Sequence, residues 1–240
     1  MRIVTLLFLV ACGAPAHAPI ANAPPAGAPR TPAPTLSLSG DQFVLTQRFP
    51  MVASDGRTVL LAMQDNDGGR GYPNLRFVIK DRSDRVLATH VVLAADDAEG
   101  YMSEPALQKQ LAPRLELANR WLAEQHTRYD LVSLQTMATV LGPDGYGDVE
   151  NASRGTLVMT WKAGVLDLAN AGARVLHLKT PKTWLADTRY ICDGCDPCEN
   201  PAFLGGASID TTRTIAVVTI SYTGTDTCWE PPDQQRVVVW

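Results

Sequence analysis

This 240-residue chain has little of what most functional classes require. Its apolar run nearest the N-terminus, Ile3 to Ala11, spans nine residues, whereas a membrane-crossing helix needs roughly 20. It has no basic block: 21 Lys and Arg stand against 25 Asp and Glu, for a net charge of −4. Nucleic acid is therefore excluded as a partner, because phosphate binding needs clustered cations. The usual catalytic patterns are missing too. The sequence holds no G-x-S-x-G elbow, H-E-x-x-H, S-x-x-K or G-x-x-x-x-G-K-[ST]. Aromatic residues are sparse at 7%, but the hydrophobic fraction of 45% is that of a folded protein and argues against wholesale disorder.

What is present divides the chain in three. Met1-Arg2 followed by the short apolar run has the layout of a secretory signal. From Gly13 to Thr35 the chain is almost wholly Ala, Pro and Gly, and seven of the 17 prolines lie between Pro15 and Pro34. Such a segment supports neither helix nor central strand and reads as an extended tether. At ~3 Å per residue it reaches some 60–70 Å. His17 sits alone in it, as a solvated residue. Residues 37–240 then form one domain, large enough for a substantial core.

At the junction, Leu9-Val10-Ala11-Cys12 resembles the bacterial lipobox. That resemblance implies cleavage after Ala11, leaving residues 1–11 as the signal peptide and 12–36 as the lipidated cysteine and tether. It also implies a thioether-linked diacylglycerol on Cys12 with palmitate-type acyl chains, and anchorage in the cell envelope. Gly13 stands where an aspartate would retain such a protein at the inner membrane. The same resemblance therefore favours the outer membrane, facing the periplasm or the surface.

Within the domain, Phe49 to Ala62 reads as an apolar stretch, the turn Ser54-Asp55-Gly56 and then Thr58–Ala62, which predict a hairpin. Leu75–Lys80 and Val86–Ala94 continue an antiparallel meander. Phe49–Lys80 is similar to one repeat of the Tol-type β-propeller, although Ala53-Ser54-Asp55-Gly56-Arg57 lacks the inner proline of that family's turn. No further copy occurs at a fixed period, and a propeller needs at least four blades, so the resemblance implies only shared hairpin chemistry. A fainter echo of the turn lies at Ala207-Ser208-Ile209-Asp210 with Arg213-Thr214-Ile215.

Ser103, Glu104 and Pro105 predict a helix start. Leu107, Leu111, Leu115, Ala118 and Leu122 then form one apolar stripe at helical spacing, with Pro113 kinking or dividing the helix. Leu131–Leu141 reads as one weak strand. Thr156–Trp161, Val165–Leu168 and Arg174–Lys179 form a second meander, and Thr214–Tyr222 and Arg236–Trp240 are strongly β-branched strands. The expected fold class is α+β: antiparallel sheets of several hairpins packed with one principal amphipathic helix, and a C-terminal loop tied by disulfides.

The most unusual chemistry is Cys192-Asp193-Gly194-Cys195-Asp196-Pro197-Cys198, with a fourth cysteine at Cys228. In an exported protein four cysteines imply two disulfides, with the pairing open. Every pairing joins the cluster to Cys228, closing a loop of about thirty residues and adding ~3 kcal/mol. The alternatives are tetrahedral zinc on Cys192, Cys195, Cys198 and Cys228, or a redox-active pair, although turn chemistry rather than a helix N-terminus surrounds these thiols.

The remaining candidates are single residues. His90 and His177 fall in predicted strands and His126 near a helix C-terminus. Asp96-Asp97-Ala98-Glu99 reads as a solvated turn. Asp65-Asn66-Asp67-Gly68-Gly69 lacks the EF-hand spacing. Asn151-Ala152-Ser153 fits a glycosylation sequon, and Trp240 reads as a buried strand residue. The sequence thus predicts a membrane-anchored envelope lipoprotein with a non-enzymatic interaction or structural domain, partnered by the membrane through its lipid and by an envelope protein. The alternative is a metal-binding or thiol-redox protein built on the cysteines.

Overall fold

The structure is a computed structural model, in which residues 32–40, 42–64, 74–94, 97, 104–141, 149–162, 164–185, 202–222 and 231–240 are described. They belong to one compact unit, Thr31–Trp240. Its elements are a hairpin of β1 (Leu36–Ser39) and β2 (Gln42–Leu45), then β3 (Met51–Ala53), β4 (Thr58–Met63), β5 (Leu75–Asp81), β6 (Val86–Leu93) and helix α1 (Glu104–Tyr129). There follow β7 (Leu131–Ser133), β8 (Gln135–Thr136), β9 (Ala138–Leu141), β10 (Val149–Arg154), β11 (Leu157–Lys162), β12 (Val165–Asn170) and β13 (Ala173–Lys179). A 3-10 turn (Lys182–Trp184) precedes β14 (Ala202–Asp210), β15 (Ile215–Tyr222) and β16 (Gln234–Val239).

Beside the two-stranded β1–β2 hairpin, these strands build three larger antiparallel sheets: sheet I in the order β6-β5-β4-β3-β7, sheet II as β16-β15-β14-β8, and sheet III as β13-β12-β11-β10-β9. The α+β class expected from the sequence is the fold observed. The apolar clusters show how the layers stack. Leu60, Phe77 and Ile79 of sheet I pack against Ala118 and Leu122 of α1. Val59, Leu61 and Val78 on its other face meet Ile215, Val217 and Val237 of sheet II. The far face of sheet II, with Ala216, Val218, Ile220 and Tyr222, packs on Met159, Leu166 and Leu168 of sheet III. The order is helix, sheet I, sheet II, sheet III.

Sheets I and II are therefore covered on both faces. That is why Val59-Leu60-Leu61 and Ile215-Ala216-Val217-Val218 are unbroken apolar runs rather than alternating ones. Full burial of each large side chain, such as Phe77 or Leu60, contributes roughly 1.5–3 kcal/mol. Sheet III has one open face, and β11 alternates accordingly: Leu157, Met159 and Trp161 face inward, while Val158 and Lys162 are exposed.

The helix is a single element of 26 residues with Pro113 inside it. It ends at Asp130, whose φ of 48° gives a left-handed cap and whose N–H donates to His126 O at 2.8 Å. The chain then enters β7 directly. Leu111, Ala118 and Leu122 of the expected stripe are fully buried, and Leu115 packs at the edge of the core.

The segment Leu131–Leu141, expected as one strand, is three. β7 borders β3, β8 borders β14 and β9 borders β10, so one bent segment edges all three sheets in turn. Between these short strands, Leu134 inserts between sheets I and II, and Met137 between sheets II and III. β14, β10 and the β1–β2 hairpin are additions to the elements expected from sequence. In β14 the Gly205-Gly206 pair hides a strand with a bulge. A Cβ on Gly205 would stand 2.0 Å from Ser221 Oγ.

At the helix end of sheet I, His90 is stacked on Trp121 (5.2 Å between ring centroids, 14° between planes). Burial holds its imidazole below the ordinary histidine range. The unfolded chain therefore takes up that proton more readily, and stability falls as pH drops through about 6.5, the unfolded value. We expect His90→Phe, which keeps the stacking, to flatten the loss of thermal stability between about pH 7 and pH 5. Melting curves for both proteins across that range check this, and equal pH slopes would refute it.

Candidate functional site

The described residues bring charge together chiefly at the seam between sheets I and II. Asp84 sits in the β5–β6 turn with a φ of 60°. The turn is built by Asp81, whose Oδ1 accepts the backbone N–H groups of Ser83 and Arg85 at 2.8 and 3.0 Å. The hydrogen bond from the Arg85 N–H, above all, holds the Asp81 carboxyl below the usual carboxylate range. Lys80 Nζ donates to Asp84 Oδ1 at 2.8 Å and to Gln235 O at 2.7 Å. Asp84 also accepts Val237 N–H at 2.9 Å and Arg236 Nη1 at 3.3 Å.

Asp84 and Lys80 thus occupy a backbone N–H and a C=O on the outer side of β16, the terminal strand of sheet II. They close an edge that would otherwise accept another strand. Burial pushes the Lys80 ammonium below the ordinary lysine range, and Arg236 and Arg76 add to this. The Asp84 hydrogen bond and its charge act in the opposite direction.

Arg236 extends the seam. Its Nη2 donates to Thr183 O at 2.7 Å and Trp184 O at 3.0 Å, fixing the 3-10 turn on β16. The four cysteines of the C-terminal region, Cys192, Cys195, Cys198 and Cys228, lie outside the described residues, as do Cys12, His17, Asp65–Gly69, Asp96, Glu99 and Ser103. The points from which the cysteine-bearing segments leave are described, however. Ala202 and Tyr222 are direct partners in the β14–β15 ladder, and Ile220 pairs with Gln234. Residues 202, 222 and 234 therefore stand at one end of sheet II. Cys198 lies four residues before Ala202 and Cys228 six after Tyr222, reaches of at most about 14 and 21 Å. A bond or a shared metal between the cluster and Cys228 requires no rearrangement of the sheet.

A second group lies on the open face of sheet III. Asp167 and His177 are cross-strand partners, and His177 Nδ1 is 2.7 Å from Asp167 Oδ1. Arg174 Nε approaches the same oxygen at 3.2 Å. Thr160 stands beside Asp167 in the ladder. In the sequence His177 is an isolated strand residue; the β12–β13 register supplies its partner. His126 is in the last turn of α1, Asp97 pairs with Arg114, Asn151 is in β10, and Trp240 is half-buried against the sheet II–III core. Among the described residues no three His, Cys, Asp or Glu side chains cluster as metal ligands.

The two turns that echo each other in sequence are in contact. Arg213 Nε donates to Ser54 O at 3.0 Å, and Arg82 Nη1 donates to Gly56 O and Arg213 O, each at 3.3 Å. Gly56 has a φ of 70°, and a Cβ there would lie 3.3 Å from that of Arg213. Asp210 holds the Arg213 guanidinium. This is a clamp between sheets I and II at the end opposite the cysteine-bearing segments.

Compared with protein-family models, curated proteins and solved structures, the chain matches none.

Removing one member of a buried ion network leaves the others unpaired, at a typical cost of ~3 kcal/mol or more. Asp84→Asn keeps a residue that tolerates the left-handed turn while removing the charge shared by Lys80 and Arg236. We expect it to lower the unfolding free energy by ~3 kcal/mol in urea titration. Glu116→Gln, in an exposed helical pair with Arg120, changes it by less than about 0.5 kcal/mol.

Proposed function

We propose that this chain is an exported lipoprotein, held in the cell envelope by a diacylglyceryl group on Cys12 and carrying a non-enzymatic interaction or structural domain. The observation that carries the reading is Leu9-Val10-Ala11-Cys12 at the end of the apolar run, followed at once by the Ala/Pro tether. Gly13 favours the outer membrane. Among the described residues no helix is long and apolar enough to cross a membrane, so the anchorage rests on the lipid.

The fold suits a tethered module. Where the tether ends, Asn119 of α1 grips the backbone of Leu36 from both sides. The Leu36 N–H donates to Asn119 Oδ1 at 2.6 Å, and Asn119 Nδ2 donates to Leu36 O at 2.9 Å. Tension on the tether enters at the helix layer. Sheet III lies three layer spacings away, roughly 30 Å, and its open face with Val158, Val175, Asp167 and His177 is the surface presented to an envelope protein.

The alternative is a metal-binding or thiol-redox role for Cys192, Cys195, Cys198 and Cys228. The adjacency of Ala202 and Tyr222 favours their coming together, and that adjacency suits disulfides and zinc equally.

Two measurements test these readings. Wild-type chain is expected to incorporate labelled palmitate and fractionate with membranes, and Cys12→Ala to do neither; a labelled, membrane-bound Cys12→Ala protein would overturn the anchor. Intact mass of the unreduced chain, with metal quantitation, is expected to show two disulfides and no zinc. One zinc per chain with Cys192, Cys195, Cys198 and Cys228 all unoxidised would establish the metal alternative instead.

A further inference from the structure

Where the chain enters the domain, it pairs with no strand of the three large sheets among the described residues. β1 and β2 form a sheet of their own, two strands of four residues each. A two-stranded hairpin is at best marginally stable in water by itself. This one is seated on the helix layer, and burial alternates along it. Leu36 is buried and Leu38, Phe43 and Leu45 are half-buried, while Ser37, Gln42 and Val44 are exposed. Leu38 and Phe43 pack over Leu93 and Leu111, which are buried beneath them.

The backbone of the hairpin is latched from the helix. Thr46 N–H donates to Thr35 O at 2.9 Å, which makes residues 35 and 46 a hydrogen-bonded pair. By the alternation of an antiparallel ladder, the next pair, Leu36 and Leu45, turns its N–H and C=O groups away from the partner strand. Both outward groups of Leu36 end on one side chain. Its N–H donates to Asn119 Oδ1 at 2.6 Å, and Asn119 Nδ2 donates to its C=O at 2.9 Å. The Asn119 amide stands where a third strand would.

The register also decides how the hairpin yields to a pull. Thr35 and Thr46 are side by side, so a load between the tether and the rest of the domain parts the strands from their open end, one pair after another. β3 resists differently. It is paired on one side with β4 and on the other with β7, Met51 and Val52 are fully buried, and Pro50 O accepts Leu134 N–H at 2.9 Å. Just before it, Phe49 packs on Phe77 with 5.7 Å between ring centroids. A peel started at the tether breaks few bonds at a time as far as residue 48 and meets many at once beyond it.

We propose that the β1–β2 hairpin is an extensible strap latched by Asn119. It opens as a unit ahead of the three sheets when the tether is pulled, lengthens the tether, and closes again when the pull ends. Residues 34–48, freed from the helix layer, extend to at most about 50 Å, on top of some 60–70 Å for the Ala/Pro segment. The sheets stay whole because the chain remains seated from Phe49 onward. The use of the strap under tension rests on the lipid anchor proposed above, whereas its order of opening does not.

Pulling the chain of residues 13–240 by its two ends in magnetic tweezers tests the strap. The expected record has a first step of about 50 Å, reversible when the force is lowered, ahead of unfolding of the rest. Hydrogen exchange without load is expected to show the amides of 36–46 opening together, about tenfold or more often than those of β4, β5 and β15. Asn119→Ala leaves the Leu36 N–H and C=O unpaired beside a buried side chain. The first step should then fall to lower force, and exchange of 36–46 should quicken a further tenfold or so, with β4, β5 and β15 unchanged. Arg120→Ala, at an exposed position beside it on α1, should alter neither reading. Absence of an early step overturns the proposal, and so does an early step that Asn119→Ala leaves at the same force. If Asn119→Ala fails to fold, wild-type exchange decides: amides of 36–46 that open as rarely as those of β4 overturn it. Both readings use unlipidated protein, so they decide the strap by themselves, and palmitate labelling decides the anchor.

Discussion

The fold depends on the segment Leu131–Leu141. It supplies the edge strand of each sheet in succession, and its two crossing residues are side chains of the two inter-sheet cores. At each crossing the backbone stays satisfied: Leu134 N–H donates to Pro50 O and Met137 N–H to Ala207 O, both at 2.9 Å. A chain that changes sheets normally exposes polar backbone in the gap between layers. Here each crossing residue keeps one foot in the sheet it leaves while its side chain fills the gap ahead. The three sheets are coupled through eleven consecutive residues, so loss of this segment removes an edge from every layer together with the plugs between them.

Stacking sheets on both faces of sheet II creates a second requirement. Charged groups at the seams have little water, so each must be matched inside the protein. Two sets meet it at the sheet I–II interface, both rooted in or beside the β5–β6 turn: Lys80, Asp84 and Arg236 in one, and Arg82, Asp210 and Arg213 in the other. Both sets work mainly through backbone carbonyls and N–H groups. They terminate ladders and hold turns rather than simply pairing charges, which explains why lysine and arginine are placed where a smaller apolar residue would pack.

Much of this was legible in the sequence. The Ser54-Asp55-Gly56 turn, β5, β6, the helical stripe and the meander of β11–β13 lie within a residue or two of where composition and periodicity put them. What periodicity cannot show is which strands share a layer: Val59 and Val217 look alike in sequence, and only the fold sets them face to face. β14 was hidden by Gly205-Gly206, and β10 by its polar sequence Val149-Glu150-Asn151-Ala152-Ser153-Arg154. The Asp167–His177 pair was invisible for a related reason. The residues are ten apart, and only the β12–β13 register makes them neighbours.

The same register logic bears on the cysteines. Ala202 and Tyr222 are already neighbours in the folded ladder, so a bond between Cys228 and the cluster would join segments whose roots the sheet has brought together. Such a bond creates few new contacts in the native state. Its effect falls on the unfolded chain, where closing a loop of about thirty residues removes conformational freedom worth ~3 kcal/mol.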